Sequence, residues 1–270
     1  MASLSRLAGL VALVTGAARG QGRAQAVALA NAGADIVACD LCHDQPTVPY
    51  PLSTPEDLRE TARLVRQAGR RCRAQQADVT SVGQMEATAA LGAGLGGIDV
   101  VCANAGVISF GKAWELSEAQ WDHVVDTNLK GAWATCRAAI PGMIERGRGG
   151  SIVLIGSAAS LRAYPGISHY TAAKHGLLGL TRALALELAP HRIRVNCVLP
   201  GGVRTSMGTS EAMQEWLRAE PDASRALSPL LAADLVEAED VAQAAVWLAS
   251  AEARFVTGVA LPVDAGVQLR

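Results

Sequence analysis

The stretch Leu10-Val11-Ala12-Leu13-Val14-Thr15-Gly16-Ala17-Ala18-Arg19-Gly20-Gln21-Gly22 decides the fold. Its apolar head, Leu10 to Thr15, suits a short buried strand. Three glycines follow at Gly-x-x-x-Gly-x-Gly spacing, and then a run that reads as an amphipathic helix to about Ala32. Between a strand and a helix, such glycines let the backbone approach a pyrophosphate. The helix N-terminus adds amide donors and the positive end of its dipole. The spacing differs from the usual Gly-x-Gly-x-x-Gly fingerprint, and a tight loop without a ligand is the competing reading.

Asp35 to Asp40 reads as the second strand, and Asp40 stands 18 residues after Gly22, at that strand's end. An acid there accepts hydrogen bonds from the hydroxyls of an adenosine ribose and repels a 2′-phosphate, which favours NAD over NADP. Arg19 argues the other way, because a basic residue in the glycine turn can reach a 2′-phosphate. Asp40 outweighs it by facing that phosphate directly. Residues 43–55 carry Pro46, Pro49, Pro51 and Pro55 around Tyr50. This is too proline-rich for a helix or a central strand and longer than the usual loop of about 2–6 residues. It is read as an insertion, either solvated or folded as a lid over the cofactor. Ser53 or Thr54 then caps a helix with Pro55 at its first position, running to about Ala68.

The alternation continues. A third strand, Cys72 to Ala77, ends in Asp78-Val79, placed to hold an adenine edge. A helix is expected from Val82 to about Leu95, and a fourth strand from Ile98 to Ala103. Asn104-Ala105-Gly106 then forms a small turn near the middle of the cofactor. Ser117 caps one long helical region to about Arg146 that contains Asn128. A strand from Ser151 to Ile155 leads to Ser157, a helix runs from Ser168 to Leu188, and a strand from Ile193 to Leu199 leads to Pro200-Gly201. Residues 202–236 read as a substrate loop with one short helix, Glu211 to Arg218. A helix, Val241 to Ala249, and a strand, Val259 to Val263, close the chain. Alternating strands and helices call for a doubly wound parallel sheet of about seven strands with helices on both faces, in one α/β Rossmann domain over residues 1–270. Each motif falls at or just beyond a strand's C-terminal end, where such sheets bind ligands.

Tyr170 and Lys174 are four apart at the head of the helix, so they share a face. The chain has three Tyr and three Lys in 270 residues, so chance supplies a Tyr-x-x-x-Lys pair only about 0.03 times. A Tyr titrates near ~10. A neighbouring ammonium and a cationic nicotinamide ring would lower that value, letting Tyr170 take an alcohol proton while Ser157 holds the substrate oxygen. A surface Tyr and Lys on one helix is the alternative.

The chain is 50% hydrophobic with a formal charge of −1. Nothing in that balance attracts nucleic acid or an anionic membrane. Arg6 and the short apolar run behind it mimic a signal peptide, but the run leads straight into the glycine turn, so a cytoplasmic protein is expected. Six Cys imply no disulfide framework. Cys39-Asp40-Leu41-Cys42-His43 fits the haem-attachment pattern but sits at a strand end without an export signal, and no metal is expected.

Taken together, Thr15-Gly16 through Gly22, Asp78, Asn104-Ala105-Gly106, Asn128, Ser157, Tyr170, Lys174 and Pro200-Gly201 resemble the short-chain dehydrogenase/reductase family over nearly the whole chain. The resemblance implies an oxidoreductase moving a hydride between NAD and an alcohol or ketone. Tyr170 would be the acid/base, Ser157 the substrate anchor, Lys174 the ligand of the nicotinamide ribose, and Asn128 the holder of a relay water. Gly16, Arg19, Gly20, Gln21, Gly22, Asp40, Asp78, Val79, Asn104, Ala105, Gly106, Pro200 and Gly201 would line the cofactor, with Val203 and Thr205 at the carboxamide. Ala103 departs from the Asn that many members carry. The insertion, Ala18-Arg19-Gly20-Gln21-Gly22 and His169-Tyr170 look like the mycofactocin-associated, carveol dehydrogenase-like branch. That likeness implies tightly held NAD, an external redox carrier and a homotetramer. An apolar secondary alcohol is the natural substrate, with Ile108, Tyr164, Met207, Met213, Trp216, Val107, Phe110 and Leu161 as candidate pocket residues. The rivals are a 3-oxoacyl carrier-protein reductase-like enzyme, an extended-type sugar epimerase and a non-catalytic NAD-binding sensor.

Overall fold

A strand buried on both faces must be apolar throughout, and β1 (Val11–Thr15) is a run of five buried residues. In the computed structural model, which describes residues 6–232 and 234–270, β1 lies near the middle of a seven-stranded parallel sheet. The other strands of the sheet are β2 (Asp35–Asp40), β3 (Cys72–Gln76), β4 (Val100–Ala103), β5 (Gly150–Ile155), β6 (Ile193–Pro200) and β7 (Ala260–Val263). The strand order is β3-β2-β1-β4-β5-β6-β7. Val11 pairs with Asp35 on one side, and Ala12 pairs with Val100 on the other. The order reverses between β1 and β4, so the crevice beyond the C-terminal end of β1 is the switch point where such sheets bind ligands.

Two layers of helices cover the sheet. On one face α1 (Gly20–Asn31), α2 (Pro55–Gln67) and α9 (Ala238–Ala249) bury Leu29, Val65 and Leu248 against Val14, Ile36 and Val198. On the other face α5 (Gly131–Arg146) and α6 (Ser168–Leu188) bury Met143 and Leu177 against Leu13, Ile152 and Leu199. The helix starts follow from short-range chemistry. Thr54, not Ser53, caps α2, in a box with Asp57 and with Pro55 at the first position. Ser117 caps α4 (Glu118–Val125) in a box with Gln120.

Several boundaries differ from the sequence-based expectation, each for a local reason. The helix expected to reach Leu95 ends as α3 (Val82–Ala90) and continues as a 3-10 turn, Leu91–Leu95, and β4 starts only at Val100. Gly92, Gly94, Gly96 and Gly97 fill the interval, with positive φ at the last two. The single helical region expected after Ser117 is α4, one π-turn (Asp126–Lys130) and α5. α9 starts at Ala238 because Glu237 and Asp240 form a box there. The loop-rich region holds two short helices, α7 (Glu211–Ala219) and α8 (Pro221–Ala226). Position 233 of the expected substrate loop lies outside the described residues. Among the described residues no helix is long and apolar enough to cross a membrane.

Candidate active site

The floor of the main cleft is backbone packed too tightly for side chains. A Cβ on Gly22 would stand 1.9 Å from the Gly16 carbonyl oxygen, and one on Gly16 would stand 2.8 Å from Ala105 Cα. The Thr15 hydroxyl accepts the N–H groups of Asn104 (3.1 Å) and Ala105 (3.2 Å), while Asn104 Nδ2 donates to the carbonyls of Thr15 (3.0 Å) and Gly16 (3.3 Å). These bonds tie the turn after β4 to the glycine turn. Asn104 is therefore a clamp between the two turns as well as part of the lining. No side chain caps the N-terminus of α1, and no acid sits in its first turn. Its amides are thus left to whatever binds at the turn.

The cleft runs from Gly16, Arg19, Gly20, Gln21 and Gly22 past Asp40, Asp78 and Val79 to Asn104, Ala105, Gly106 and Thr205. Its roof is the proline-rich insertion. Ser53 Oγ donates to Asp40 Oδ1 at 2.5 Å, and Asp40 Oδ2 accepts the Ala18 N–H at 2.9 Å. A carboxylate has about four lone-pair sites, so Asp40 keeps acceptor capacity toward the cleft. Arg19, expected to compete for a 2′-phosphate, instead donates to the Pro51 carbonyl. Thr47 Oγ1 and His123 Nδ1 share a hydrogen bond. Tyr50 is buried, and its hydroxyl accepts the N–H of Ile108 at 3.1 Å. Val48 and Tyr50 join Ile108, Tyr164 and Trp216 in one apolar cluster, so the roof shares its packing with α7 and α8.

β5 ends just before Ser157 and α6 starts just before Tyr170, and the two polar groups meet on the wall of a second cavity, about 730 Å³. Ile108, Tyr164, Met207, Met213 and Trp216 line it as expected, with Pro200, Gly201 and Val203. Val107 lines the main cleft instead, Phe110 stacks on Trp216 at 5.5 Å, and Leu161 points outward at 47% exposure. Gln21, Thr205 and Met207 line both cavities and mark their junction.

Lys174 is 4% exposed, donates to the Ile155 carbonyl at 2.8 Å, and stands 5.4 Å from the Tyr170 ring centroid. The π-turn buries Asn128, whose Nδ2 donates to the carbonyls of Val107 and Val124, each at 2.8 Å. Asn128 Oδ1 is buried without a partner among the described residues. A Cβ on Gly106 would lie 2.6 Å from that oxygen and 3.6 Å from Lys174 Nζ, so both polar atoms face the gap that Gly106 leaves open. Burial pushes the Tyr170 phenol up to about 12, with only hydrogen bonding from Ser157 opposing it. Burial likewise pushes Lys174 down to about 8. Without the cationic ring that the sequence reading adds to the ammonium, the phenol thus lies above its ordinary value. Desolvation dominates the phenol, and the same burial disfavours the charged form of Lys174.

Sequence reasoning missed Tyr50, Ser53 and His123 as members of the cleft. Tyr50 carried a signal, as the lone aromatic of a proline-rich insertion. His123 carried none, since its position on α4 depends on where the chain folds back.

Comparison with known proteins agrees with this geometry. A family profile described as enoyl-(acyl carrier protein) reductase matches residues 16–268. The (-)-trans-carveol dehydrogenase of Rhodococcus erythropolis is 42% identical over 99% of this chain and 100% of its own. The crystal structure of carveol dehydrogenase from Mycobacterium avium in complex with NAD superposes with a TM-score of 0.94, at 45% identity over 98% of this chain and 99% of its own. That of a short-chain dehydrogenase from Mycobacterium paratuberculosis bound to NAD gives 0.94 at 44% identity, over 98% and 100%. With its seven-stranded parallel sheet, uncapped glycine turn and Ser157, Tyr170 and Lys174 at one point, this chain belongs to the short-chain dehydrogenase/reductase family.

Proposed function

We propose that the protein is an NAD-dependent oxidoreductase acting on an apolar secondary alcohol or the matching ketone. The observation that carries this reading is the junction. Ser157 and Tyr170 line a mainly apolar cavity that meets the cleft of the glycine turn at Gln21, Thr205 and Met207. The residues present fit NAD. The uncapped amides of α1 suit a pyrophosphate, and no side chain can stand at Gly22. Asp40 suits the two hydroxyls of an adenosine ribose. Gly16, Gly20, Gln21 and Gly22 would hold the phosphates, Asp78 and Val79 the adenine, and Ala105 and Gly106 the middle of the molecule. Tyr170 and Lys174 would hold the nicotinamide ribose, with Val203 and Thr205 at the carboxamide. When bound, NAD supplies the hydride acceptor or donor.

The chain's own residues handle the proton. A phenol held near about 12 stays protonated at neutral pH, so Tyr170 accepts an alcohol proton only when positive charge stands beside it. Ser157 donates to the substrate oxygen and fixes its distance from Tyr170. Asn128 Oδ1 and Lys174 Nζ would hold a water between them, giving Tyr170 a route to exchange its proton.

The roof over the cleft supports a finer reading, in which NAD stays bound between turnovers and an external redox carrier, of the mycofactocin kind, takes the electrons. Tyr170→Phe tests the core of the proposal. It should leave NAD binding nearly intact and cut single-turnover reduction of bound nicotinamide roughly 10²–10⁴-fold, followed by absorbance. Near-normal rates in that variant would refute the assignment.

A further inference from the structure

The opposite end of the sheet carries a second charged feature that the oxidoreductase chemistry does not use. Arg66, at the last turn of α2, and Arg70, Arg71 and Arg73, at the start of the edge strand β3, line one shallow cleft with Leu95. Gln76, at the far end of β3, pairs with Asp40 in the cofactor cleft. The two clefts are thus separated by about 16 Å, the length of a five-residue strand.

One carboxylate serves this cluster. Asp35 is buried at 3% exposure and takes Arg70 Nη2 at 2.8 Å, Arg71 Nη2 at 2.6 Å and Arg71 Nε at 2.7 Å. Burial raises its carboxyl, but the Arg71 amide and the two guanidinium groups outweigh this and hold it below the usual range. Arg71 Nη2 also donates to the Leu95 carbonyl at 2.8 Å. Arg70 and Arg71 are therefore fixed in place. Arg70 Nε is buried and has no partner among the described residues. Arg66 and Arg73 have no carboxylate within 4.0 Å among the described residues. Four guanidinium groups against one carboxylate leave three surplus positive charges in one cleft.

Charged side chains on an edge strand do discourage pairing with another sheet. That role needs neither a cleft nor two arginines clamped by a buried acid. Guanidinium forks match oxyanions two bonds at a time. Arg71 spends its Nε and Nη2 on Asp35, so Arg66 and Arg73 offer the whole forks while Arg70 and Arg71 add fixed positive charge beside them. A single phosphate would leave charge unmatched, whereas a chain of phosphates would span the cluster.

We propose that this cleft binds a polyphosphate chain, either inorganic or the tail of a nucleotide. The test is isothermal titration of the full-length protein, with NAD at saturation so that the cofactor cleft is occupied. The titrants are tripolyphosphate and ATP, each compared with sulfate at matched ionic strength. The expected result is saturable binding of one tripolyphosphate per chain, weakened at least about tenfold in R66A/R73A. Because R66A/R73A could perturb the edge strand, R66Q/R73Q is measured beside it and should show the same loss with an unchanged melting temperature. ATP binding no tighter than tripolyphosphate identifies the inorganic chain as sufficient, and tighter ATP binding identifies a nucleotide. Absence of saturable binding, equal binding in both double variants, or sulfate matching tripolyphosphate would overturn the proposal and leave an adventitious ion only.

Discussion

The floor and the roof of the cofactor cleft are built on opposite principles. The floor is backbone against backbone. Gly16 and Gly22 pack where no Cβ fits, and Thr15 and Asn104 knit two turns together. The roof is held by side chains reaching out to fixed elements: Ser53 to Asp40, Arg19 to Pro51, Thr47 to His123 and Tyr50 to Ile108. A floor of this kind cannot move without losing the fold. A roof held by a few separate hydrogen bonds can open by breaking them, and each net bond contributes only about 0.5–1.5 kcal/mol. If the roof gates the cofactor as proposed, the floor should govern affinity and the roof residence time.

Alkali should produce the largest effect and should separate the two. All six thiols are pushed up from about 9 by burial, Cys42, Cys102 and Cys136 to about 12 and Cys72 and Cys197 to about 11. Groups with raised folded values contribute stability that is whole below the unfolded value and is lost as pH rises above it. Each sealed thiol weakens the fold by at most about 1.4 kcal/mol per pH unit above pH ~9. Lys174, whose folded value is depressed to about 8, offsets one of them over the same range. The net loss is still several kcal/mol per pH unit, comparable to the whole stability of many domains. Urea midpoints at pH 8, 9 and 10 should fall steeply after 9. From about pH 7.5 to 9 the roof itself should not titrate, because burial holds the His123 imidazole below that window and the Tyr50 phenol above it. Any change in nucleotide exchange there should report Lys174, pushed down to about 8. A midpoint at pH 10 equal to that at pH 8 would show that the thiols are not sealed.

Gly22→Ala attacks the floor directly. The new methyl would meet the carbonyl of Gly16 at 1.9 Å and its carbon at 2.6 Å, both backbone atoms that cannot swing aside. Overpacking of this kind costs typically ~1–3 kcal/mol or more, and here it also spoils the turn that faces the pyrophosphate. NAD affinity should drop by over a hundredfold on the order-of-magnitude scale of about 1.4 kcal/mol per decade, read by fluorescence titration alongside the melting temperature. Retention of both would mean that the glycine turn does not hold the cofactor.

The floor was legible in the sequence because its demands fall on residue types. A turn that admits no side chain must be glycine, a strand buried on both faces must be apolar, and Tyr170 and Lys174 share a face by helical period alone. The roof was legible only as a composition. Its prolines excluded helix and strand, yet nothing local told which atoms Tyr50 or Ser53 would reach, because those partners lie 58 and 13 residues away. Asn128 shows the same limit inside a helix. The residue stood out by resemblance, while its burial in a π-turn and its bond to the Val107 carbonyl, 21 residues away, carried no local signal. The desolvation that raises the Tyr170 phenol was not legible either, because it depends on the packing around the ring, which neighbours in sequence do not report.

Asp40 lies at the seam between floor and roof, so its variants divide the two contributions. Asp40→Ala should narrow the preference for NAD over NADP, since a carboxylate beside a phosphate dianion costs about 2–3 kcal/mol, or roughly a hundredfold. It should also release Ser53 and quicken exchange. Asp40→Asn removes the charge yet keeps an oxygen for Ser53, so it should relax cofactor choice while exchange stays close to that of the unaltered protein. If both variants change exchange equally, charge and not the hydrogen bond holds this end of the roof.

Tyr50→Phe carries the smallest expected effect and is the sharpest test of the roof. The ring stays, so its packing with Val107, Ile108 and Trp216 is kept, and only the acceptor of the Ile108 N–H is lost. Ile108 is 3% exposed, so that amide has little access to water in the closed form and leaves about 1–3 kcal/mol unsatisfied. Opening the roof exposes the amide to water and relieves the penalty, so the closed state alone is destabilised. If release of NAD passes through the open state, exchange should quicken by about tenfold. Equilibrium affinity should weaken by a similar factor, and single-turnover chemistry should hardly change. The measurement is a chase of bound NAD with labelled NAD. Unchanged exchange in Tyr50→Phe, together with faster exchange on deleting residues 43–55, would mean that the roof is held by its apolar packing and not by this bond. Unchanged exchange in both would mean that the insertion does not gate the cofactor at all.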